Sequence, residues 1–399
     1  MSEKTSRRWL LPDGVQETLP PDAADVETLR HRILQTYQRW GYELAMPAMI
    51  EYRDSLLTGT ALDLDTRTFA LVDQLSGRQM GVRSDMTPQV ARIDAHLLAD
   101  NLRDHRISRL CYCGRLLHAI GDGINSSRTP LQIGAEIFGS GDVGADIEVV
   151  SLMIETLLAV ELNNFSIDIG HVGIFRSLVR NAGLSNAAET SLFNMLQRKS
   201  VPDLNEYLAG LSLESRLVEQ ICQLALLNGD VSVIDQARRY FDVDSAELHA
   251  SLDAMQTVVS RIQSRYPSVA LHCDLSELRG YSYHTGLVFA AFLPGQGTEV
   301  ARGGRYDDIG SVFGNARAAT GFSADLLNLY QLSGSDGEAW SGILAPDSDA
   351  AGLAGKVRQL RDEGERVVID LSQGHISAND QNCNRQLVES ENGWIVQEV

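Results

Sequence analysis

The stretch QIGAEIF, residues 132–138, alternates polar and apolar side chains along its length. In a β-strand its isoleucine and alanine side chains would face one side, and Gln132 and Glu136 would face the other. Such alternation is typical of an antiparallel strand with one buried face, because a strand that is buried on both faces is apolar throughout. The stretch therefore predicts an antiparallel sheet, on which Gln132 and Glu136 either converge on a ligand or form a solvated face.

Strand and helix patterns continue on both sides of this stretch. Further strands are predicted at residues 42–47, 68–73, 78–85, 107–114, 165–169, 269–274, 282–292 and 299–303. Helices are predicted at residues 20–40, 87–99, 145–160 and 323–332. Antiparallel hairpins with helices between them indicate an α+β fold rather than a doubly wound one.

Two regions differ from this sheet. Residues 171–266 have mostly helical patterns and are interpreted as a helical insertion. After a linker at residues 334–342, a small α/β unit is predicted from patterns at residues 342–344, 350–363, 366–371 and 394–396. We therefore expect a sheet domain of residues 1–170 and 267–332, the insertion at 171–266, and a C-terminal extension at 333–399.

The composition disfavours several classes of protein. The chain has 399 residues and a net charge of −19, whereas nucleic-acid binding normally needs a basic surface. Its only lysines are Lys4, Lys199 and Lys356, and none lies in a phosphate-binding loop motif. No apolar run is long enough to span a membrane. The five scattered cysteines and the lack of a signal-peptide pattern predict a reducing, cytoplasmic location.

Two segments are rich in glycine, arginine and tyrosine: RGYSYHTG at residues 279–286 and GGRYDD at residues 303–308. Glycine lets the backbone approach a ligand closely, and arginine supplies a planar set of hydrogen-bond donors. Tyrosine supplies a flat apolar wall with a polar tip. Together the two segments predict a polar pocket for a small anionic or zwitterionic ligand.

Other candidate sites have simpler interpretations. Residues 139–144 (GSGDVG) match a dinucleotide-binding pattern, but the alternating strand before them favours a plain glycine-rich turn. Cys111 and Cys113 have no further ligands at zinc spacing, so they are interpreted as core thiols, and no metal or cofactor is expected. His171 is interpreted as a structural histidine. Thr87 either caps a helix or contacts the ligand.

Several motifs together resemble histidyl-tRNA synthetase, a class II synthetase. Residues 83–89 (RSDMTPQ), 109–114 (RLCYCG) and 131–139 (LQIGAEIFG) resemble its second class II motif. Residues 278–283 (LRGYSY) resemble its histidine-binding peptide, and residues 303–307 (GGRYD) and 319–323 (ATGFS) its third-motif region. Residues 42–51 resemble the first motif, which forms the dimer interface in that family. The motifs run in order over residues 9–330, which implies the class II synthetase fold.

The resemblance implies a pocket for histidine. Asp85 and Thr87 match the positions that hold the ammonium group of the ligand in that family. The positions that contact histidine correspond here to Gln132, Glu136, Arg279, Tyr283, Tyr306 and, in place of a tyrosine, His284. Arg279 is assigned here to ligand binding alone.

The positions that handle ATP and tRNA differ from the synthetase. His118 and Ile120 stand where the family has an arginine and a glutamate, and Asn328 stands where it has another arginine. The loop at residues 121–127 is GDGINSS instead of a basic, aromatic segment. Residues 331–399 carry 5 basic and 12 acidic residues and are too few for an anticodon-binding domain, so no tRNA partner is expected.

A synthetase fold that has the amino-acid pocket without the ATP and tRNA groups resembles the regulatory subunit of ATP phosphoribosyltransferase. The resemblance implies a partner, the short-form catalytic subunit, usually in a hetero-octamer of four plus four chains, and a self-dimer through the first motif. It implies activation of that partner and feedback inhibition by histidine, with no catalytic activity in this chain. The alternatives are a divergent histidyl-tRNA synthetase or amino-acid ligase and, from residues 139–144, a dinucleotide enzyme.

Overall fold

The computed structural model describes residues 10–57, 62–98, 107–121, 127–241, 245–281, 283–309, 317–334, 341–391 and 393–399. Most of the expected 121–127 loop and 334–342 linker lies outside the described residues. The chain divides into two compact units, Met1–Thr18 with Val26–Gly334 and Leu19–Asp25 with Ser335–Val399.

The elements up to the end of the larger unit are, in chain order, α1 (Asp22–Arg39), β1 (Glu43–Leu44), β2 (Ile50–Tyr52), α2 (Arg53–Leu57), α3 (Leu62–Arg67), β3 (Phe69–Val72), β4 (Gln79–Val82), α4 (Thr87–Arg92), a π-helix (Ile93–Leu98), β5 (Ser108–Arg115), β6 (Leu131–Phe138), α5 (Val143–Ala159), β7 (Ser166–His171), α6 (Val172–Ala182), α7 (Asn186–Gln197), α8 (Val201–Ala209), α9 (Ser215–Leu224), β8 (Asn228–Gly229), α10 (Val233–Tyr240), α11 (Ala246–Arg265), β9 (Ala270–Asp274), β10 (Leu287–Phe292), β11 (Ala301–Arg305), β12 (Ala319–Asp325) and α12 (Leu326–Ser333).

The described strands of this unit form a nine-stranded sheet in the order β1-β5-β6-β12-β11-β10-β7-β9-β8. Most neighbours are antiparallel, as the sequence predicted, but β1 pairs with β5 and β7 pairs with β9 in parallel. A second sheet, in the order β2-β4-β3, contains the predicted hairpin. The sheet is therefore mixed. The sequence did not predict the parallel pairs, because the pattern within a strand does not determine which distant strand it pairs with.

Several predicted elements were wrong in their bounds. The strand expected at 42–47 covers only Glu43–Leu44, and the helix expected at 87–99 continues beyond Arg92 as a π-helix. The helix expected at 323–332 begins only at Leu326, and the residues before it belong to β12, which the sequence did not indicate. Residues 319–322 are buried without alternation, so β12 lacks the pattern of a half-exposed strand. The strand expected at 282–292 begins only at Leu287, because the chain first makes a turn at Gly280 (φ of +63°), in which the backbone of His284 donates to the Gly280 carbonyl oxygen at 2.7 Å.

One face of the large sheet carries the main hydrophobic core. Helix α5 buries Val149, Val150, Leu152 and Met153 completely, and the isoleucines of β6 belong to the same cluster. The alternation predicted for residues 132–138 is confirmed, since Glu136 points away from this cluster. The opposite face of β6 carries Gln132 and Glu136 beside a smaller apolar cluster that includes Phe138.

The glycine-rich turn at 139–144 is held by Arg305. The Arg305 guanidinium donates to the carbonyl oxygens of Ser140 (3.0 Å) and Asp142 (3.3 Å) and pairs with the buried carboxylate of Asp146 (3.0 Å). Asp142 also caps α5 by accepting from the backbone of Gly144 at 2.7 Å. The turn therefore leads into helix α5. The strand before the turn, β6, pairs with antiparallel neighbours on both sides.

In the described residues from 341 onward, the smaller unit contains a four-stranded sheet and one α-helix. Its elements are β13 (Ile343–Pro346), α13 (Leu353–Asp362), β14 (Val367–Asp370), a 3₁₀ turn (Asn379–Gln381), β15 (Arg385–Ser390) and β16 (Gly393–Glu398), with strand order β14-β13-β15-β16. Strand β15 was not predicted. Across the part of the chain that the structure describes, no helix is long and apolar enough to cross a membrane.

Candidate functional site

Two adjoining cavities lie on the polar face of the large sheet. The smaller has a volume of about 270 Å³, and its lining includes seven predicted residues: Asp85, Thr87, Glu136, Arg279, Tyr283, His284 and Tyr306. The larger, a cleft of about 1040 Å³, is lined by the remaining predicted positions: His118, Ile120, Gln132 and Asn328. Arg67, Arg302 and Ser323 line both cavities, so the two are continuous at these residues.

Glu136 is the centre of the smaller cavity and is 1% exposed. Its Oε1 atom accepts hydrogen bonds from the hydroxyls of Tyr112 (2.9 Å) and Thr87 (3.1 Å). Its Oε2 atom accepts a hydrogen bond from the hydroxyl of Tyr306. Burial raises the pKa of Glu136 to about 8, although these hydroxyl donors act in the opposite direction. The carboxyl group can therefore lose its proton when a cationic or N–H donor ligand reaches it.

Thr87 does not cap the helix that it begins. The cap position is Met86, whose side chain makes no capping hydrogen bond. The Thr87 hydroxyl instead lies 3.0 Å from that of Tyr112 and donates to Glu136. The capping interpretation of Thr87 was wrong, because the facing strands β5 and β6 bring better partners to its hydroxyl.

Asp85 stands beside this cluster and is fixed by two donors. Its Oδ1 atom accepts from the backbone of Thr87 (2.9 Å) and from the side-chain amide of Gln132 (2.8 Å). The Gln132 oxygen accepts from the backbone of Met86 at 2.9 Å. Gln132 therefore orients Asp85 and lines the larger cleft, and the structure does not bring it to the smaller cavity. Within the described chain, Oδ2 of Asp85 has no hydrogen-bond partner.

The aromatic wall of the smaller cavity consists of Tyr283 and Tyr306, whose rings stack with centroids 5.0 Å apart. The hydroxyl of Tyr283 is buried, and it has no hydrogen-bond partner among the described residues. A buried hydroxyl without a partner costs free energy unless something binds it. Tyr283 is therefore a polar group to which a ligand can donate or from which it can accept.

His284 packs edge-on against Tyr283, with ring centroids 5.3 Å apart. Its Nδ1 atom lies 3.0 Å from the carbonyl oxygen of Arg279, which makes Nδ1 the protonated nitrogen. Burial lowers the pKa of His284 to about 4, so the imidazole is neutral at physiological pH. His284 thus contributes shape and polarity to the cavity without charge.

Glycines on the sheet make room for these side chains. A Cβ atom at Gly321 would lie 1.4 Å from Oε2 of Glu136, and one at Gly304 would lie 2.7 Å from the His284 ring. Both glycines have ordinary extended backbone, so the close approach of a side chain, and not the backbone conformation, requires them.

Arg279 reaches the smaller cavity from its rim and is already paired. Its guanidinium lies 3.1 Å from Glu277 and 3.1 Å from Glu299, and it stacks over Phe292 at 5.1 Å from the ring centroid. Glu299 also accepts from Arg302 at 2.9 Å. A carboxylate therefore lies between two arginines where the two cavities meet.

The larger cleft has few charged groups. Nε2 of His118 lies 2.9 Å from the carbonyl oxygen of Ser84, and burial lowers the His118 pKa, so this side chain is neutral at pH 7. Ile120 is 62% exposed and offers the cleft no polar atom. The described charged residues of the lining are Arg67, Arg302, Glu299 and Asp325, which sum to zero. The cleft therefore lacks the positive field that a triphosphate needs.

Sequence reasoning missed Tyr112, Glu299 and Arg302. Tyr112 could have been found, because it lies between Cys111 and Cys113 on β5 and so must face the polar side of the sheet. Glu299 and Arg302 carry no motif of their own. No group of three or more metal-ligating side chains occurs in the described ranges. The arrangement as a whole offers carboxylates and hydroxyls at one end and arginines at the other, which suits a small zwitterion.

Comparison with known proteins decides the family. Residues 14–329 match the family model described as histidyl-tRNA synthetase, and residues 340–397 match that of the ATP phosphoribosyltransferase subunit HisZ C-terminal domain. The chain is 49% identical over 396 residues to the ATP phosphoribosyltransferase regulatory subunit of Thioalkalivibrio sulfidiphilus, and the match covers 99% of each chain. The chain belongs to the family of ATP phosphoribosyltransferase regulatory subunits. A relative of the same description from Alkalilimnicola ehrlichii is 50% identical over 393 residues, covering 97% of this chain and 96% of that one.

Solved structures confirm the predicted fold of this regulatory-subunit family member. The ATP phosphoribosyltransferase regulatory subunit/histidyl-tRNA synthetase from Bacillus halodurans is 27% identical with a TM-score of 0.83, covering 95% of this chain and 97% of that one. Histidyl-tRNA synthetase from Nostoc sp. PCC 7120 is 17% identical with a TM-score of 0.78, covering 98% and 94%, and shows the common fold alone. The class II synthetase-like fold is thus shared with both.

Proposed function

We propose that this chain is a non-catalytic regulatory subunit that binds the short-form catalytic subunit of ATP phosphoribosyltransferase. In this proposal it activates that partner allosterically in the first step of histidine biosynthesis. It also transmits feedback inhibition by histidine, which binds in the smaller cavity. One contrast among the described residues supports the proposal: a polar cavity, in which the Tyr283 hydroxyl has no partner, adjoins a cleft whose lining has no net charge at the positions for ATP.

The cavity fits histidine by its chemistry. The carboxyl group of Glu136 can accept from an imidazole N–H, and the free oxygen of Asp85 can accept from an ammonium group. Tyr283 and Tyr306 give the flat wall against which an imidazole can stack. For inhibition, histidine must bind one conformation of the complex more tightly than another, since equal affinity would shift nothing.

The residues that line the larger cleft support the proposal that this chain does not activate an amino acid with ATP. Activation of an amino acid by ATP needs preorganised cations at the phosphates, and each such donor contributes on the order of 3 kcal/mol. At the matching positions this chain has the neutral His118, the apolar Ile120 and the uncharged Asn328. We therefore expect no ATP–pyrophosphate exchange with histidine. Measurable exchange would support the alternative, a divergent synthetase or ligase.

We also propose how the chain assembles with itself and with the catalytic subunit, starting from the family to which it belongs. Large apolar side chains are exposed in and beside the first-motif segment: Leu44, Met46, Met49, Ile50 and Tyr52. Such a patch favours a protein interface, so we place a self-dimer here. Four chains of this kind with four catalytic subunits would form the hetero-octamer. Met46→Glu, at a residue 79% exposed, should shift the dimer towards monomer in light scattering without unfolding the chain.

The test is phosphoribosyl-ATP formation by a short-form catalytic subunit with and without this chain, across added histidine. The chain should raise the rate, and histidine should lower it again. Glu136→Gln should keep the activation but weaken histidine inhibition by about 10- to 150-fold, as expected for one lost charge-assisted hydrogen bond of about 1.5–3 kcal/mol. The control is Glu247→Gln, which alters an exposed carboxylate paired with Arg180. An unchanged rate and no complex would reject the regulatory function.

A further inference from the structure

Glu299 occupies an unusual place at the junction of the two cavities. Its Oε2 atom lies 3.1 Å from Arg279 and its Oε1 atom lies 2.9 Å from Arg302, so one carboxylate bridges two guanidinium groups. Burial acts to raise the pKa of Glu299, but backbone hydrogen bonding and the two arginines bring it below its usual range, so the group is ionised at neutral pH. Glu299 thus places a carboxylate at the arginine end of a cavity that suits a zwitterion.

The sheet register sets the distance between Arg302 and Glu136, the carboxyl group at the other end of the cavity. Glu136 is level with Gly321 and Gly304, whereas Arg302 is level with Ser323, one step of two residues along the same face. Two strand spacings of about 5 Å and two residues of about 3.3 Å separate the Cα atoms of Glu136 and Arg302 by about 12 Å. Their long side chains point into the same space, and the gap that is left between them suits one amino acid.

The arginines differ in how firmly they are held. Arg279 has a second partner, the buried carboxylate of Glu277, at 3.1 Å. Glu299 is the one ion-pair partner of Arg302 among the described residues, and the Arg302 side chain is 58% exposed. One half-buried and one exposed guanidinium group on a single carboxylate match the recognition that arginine gives to carboxylate ligands.

The segment just before Glu299 is exposed and lies outside the strands. Residues 294–298, between β10 and β11, are all exposed. Gly295 and Gly297 have no atom within 4 Å of where a Cβ would stand. The Glu299 side chain can therefore leave the arginines with the sheet unchanged.

We propose that Glu299 acts as an internal competitor for the carboxylate of the bound amino acid: it occupies the guanidinium groups of Arg279 and Arg302 until the ligand displaces it. This inference rests on the proposed function, because it takes the amino acid in the smaller cavity to be histidine. It assigns Glu299 a role in specificity. A ligand that has a carboxylate must compete with Glu299 for the arginines, which lowers its affinity, whereas the affinity of a ligand that lacks a carboxylate does not depend on Glu299.

The test is calorimetric titration of the full chain with histidine and with histamine, which lacks the carboxylate. Glu299→Gln should tighten histidine binding by about tenfold or more, the effect of one charge-assisted contact, and leave histamine binding unchanged. Arg302→Gln should weaken histidine binding and also leave histamine unchanged. Glu247→Gln, which removes another arginine-paired carboxylate, should change neither ligand.

The outcomes separate this inference from the proposed function. If the unmodified chain binds histidine and Glu299→Gln binds it equally or more weakly, the competition is refuted while the pocket stands. An equal gain for histamine would also refute it, because the effect would not depend on the carboxylate. If neither protein binds histidine, the pocket itself, and with it the histidine-sensing part of the proposed function, fails.

Discussion

Glu136 should make the stability of this protein fall as the pH rises through neutrality. Burial raises its pKa from 4.5 to about 8, so in that interval the folded chain keeps a proton that the unfolded chain has released. A raised pKa of this kind contributes stability that is complete below the unfolded value and is lost as the pH passes the folded one. The slope is at most about 1.4 kcal/mol per pH unit for one proton.

Glu136→Gln isolates this effect. The amide has the shape of the neutral carboxyl group, and it can still accept from Tyr112 and Thr87 through its oxygen. The two proteins should therefore unfold with similar free energies only below about pH 4.5, and between about pH 5.5 and pH 7.5 the variant should gain about 3 kcal/mol of stability relative to the parent, two pH units at the full slope. Both values come from urea denaturation of each protein at each pH.

The difference between the two proteins is the measured quantity, since every other titrating group is common to both. A difference that is constant across this pH range would refute the reasoning, because Glu136 would then titrate alike in both states. A variant that loses stability relative to the parent as the pH rises would show that the three hydroxyl donors outweigh burial and keep the carboxyl ionised.

Three further predictions follow from the same contacts. Gly321→Ala places a Cβ 1.4 Å from the Glu136 carboxylate and should weaken histidine binding at least tenfold by calorimetry, by about 1.4 kcal/mol or more, whereas Gly297→Ala, with nothing within 4 Å, should not. Arg305→Met leaves a buried carboxylate unpaired and should cost about 3–5 kcal/mol in urea denaturation. His118→Arg alone should produce no ATP–pyrophosphate exchange with histidine, and any exchange above background would contradict the regulatory assignment.

Much of the sheet was predictable because its signal is local. Alternation within residues 132–138 put Glu136 on the polar face, and the same rule applied to β5 would have added Tyr112. Strand β12 was not predicted because residues 319–322 are all buried, which leaves no alternation to detect. The parallel strand pairs were not predicted because they join segments that are far apart in the chain.

The assignment of Thr87 shows why local rules fail at a site. Threonine before proline at a helix start is a good capping signal, yet its hydroxyl lies 3.1 Å from the Glu136 carboxyl instead. The competing partner comes from a strand 49 residues further along the chain. The Thr87 hydroxyl bonds to the carboxyl group that is buried beside it, and the tertiary structure determines which group that is.

The α+β class and the polar face of β6 follow from residue type and short-range spacing, whereas the neutral residues at the positions for ATP follow from the resemblance of the motifs to the synthetase. Only the tertiary structure decided that hydroxyls from three other segments surround Glu136, and that Glu299 lies between Arg279 and Arg302. The physical reason is that a carboxyl group's partners, and hence its pKa and its availability to a ligand, are set by which distant strands pair and in which register.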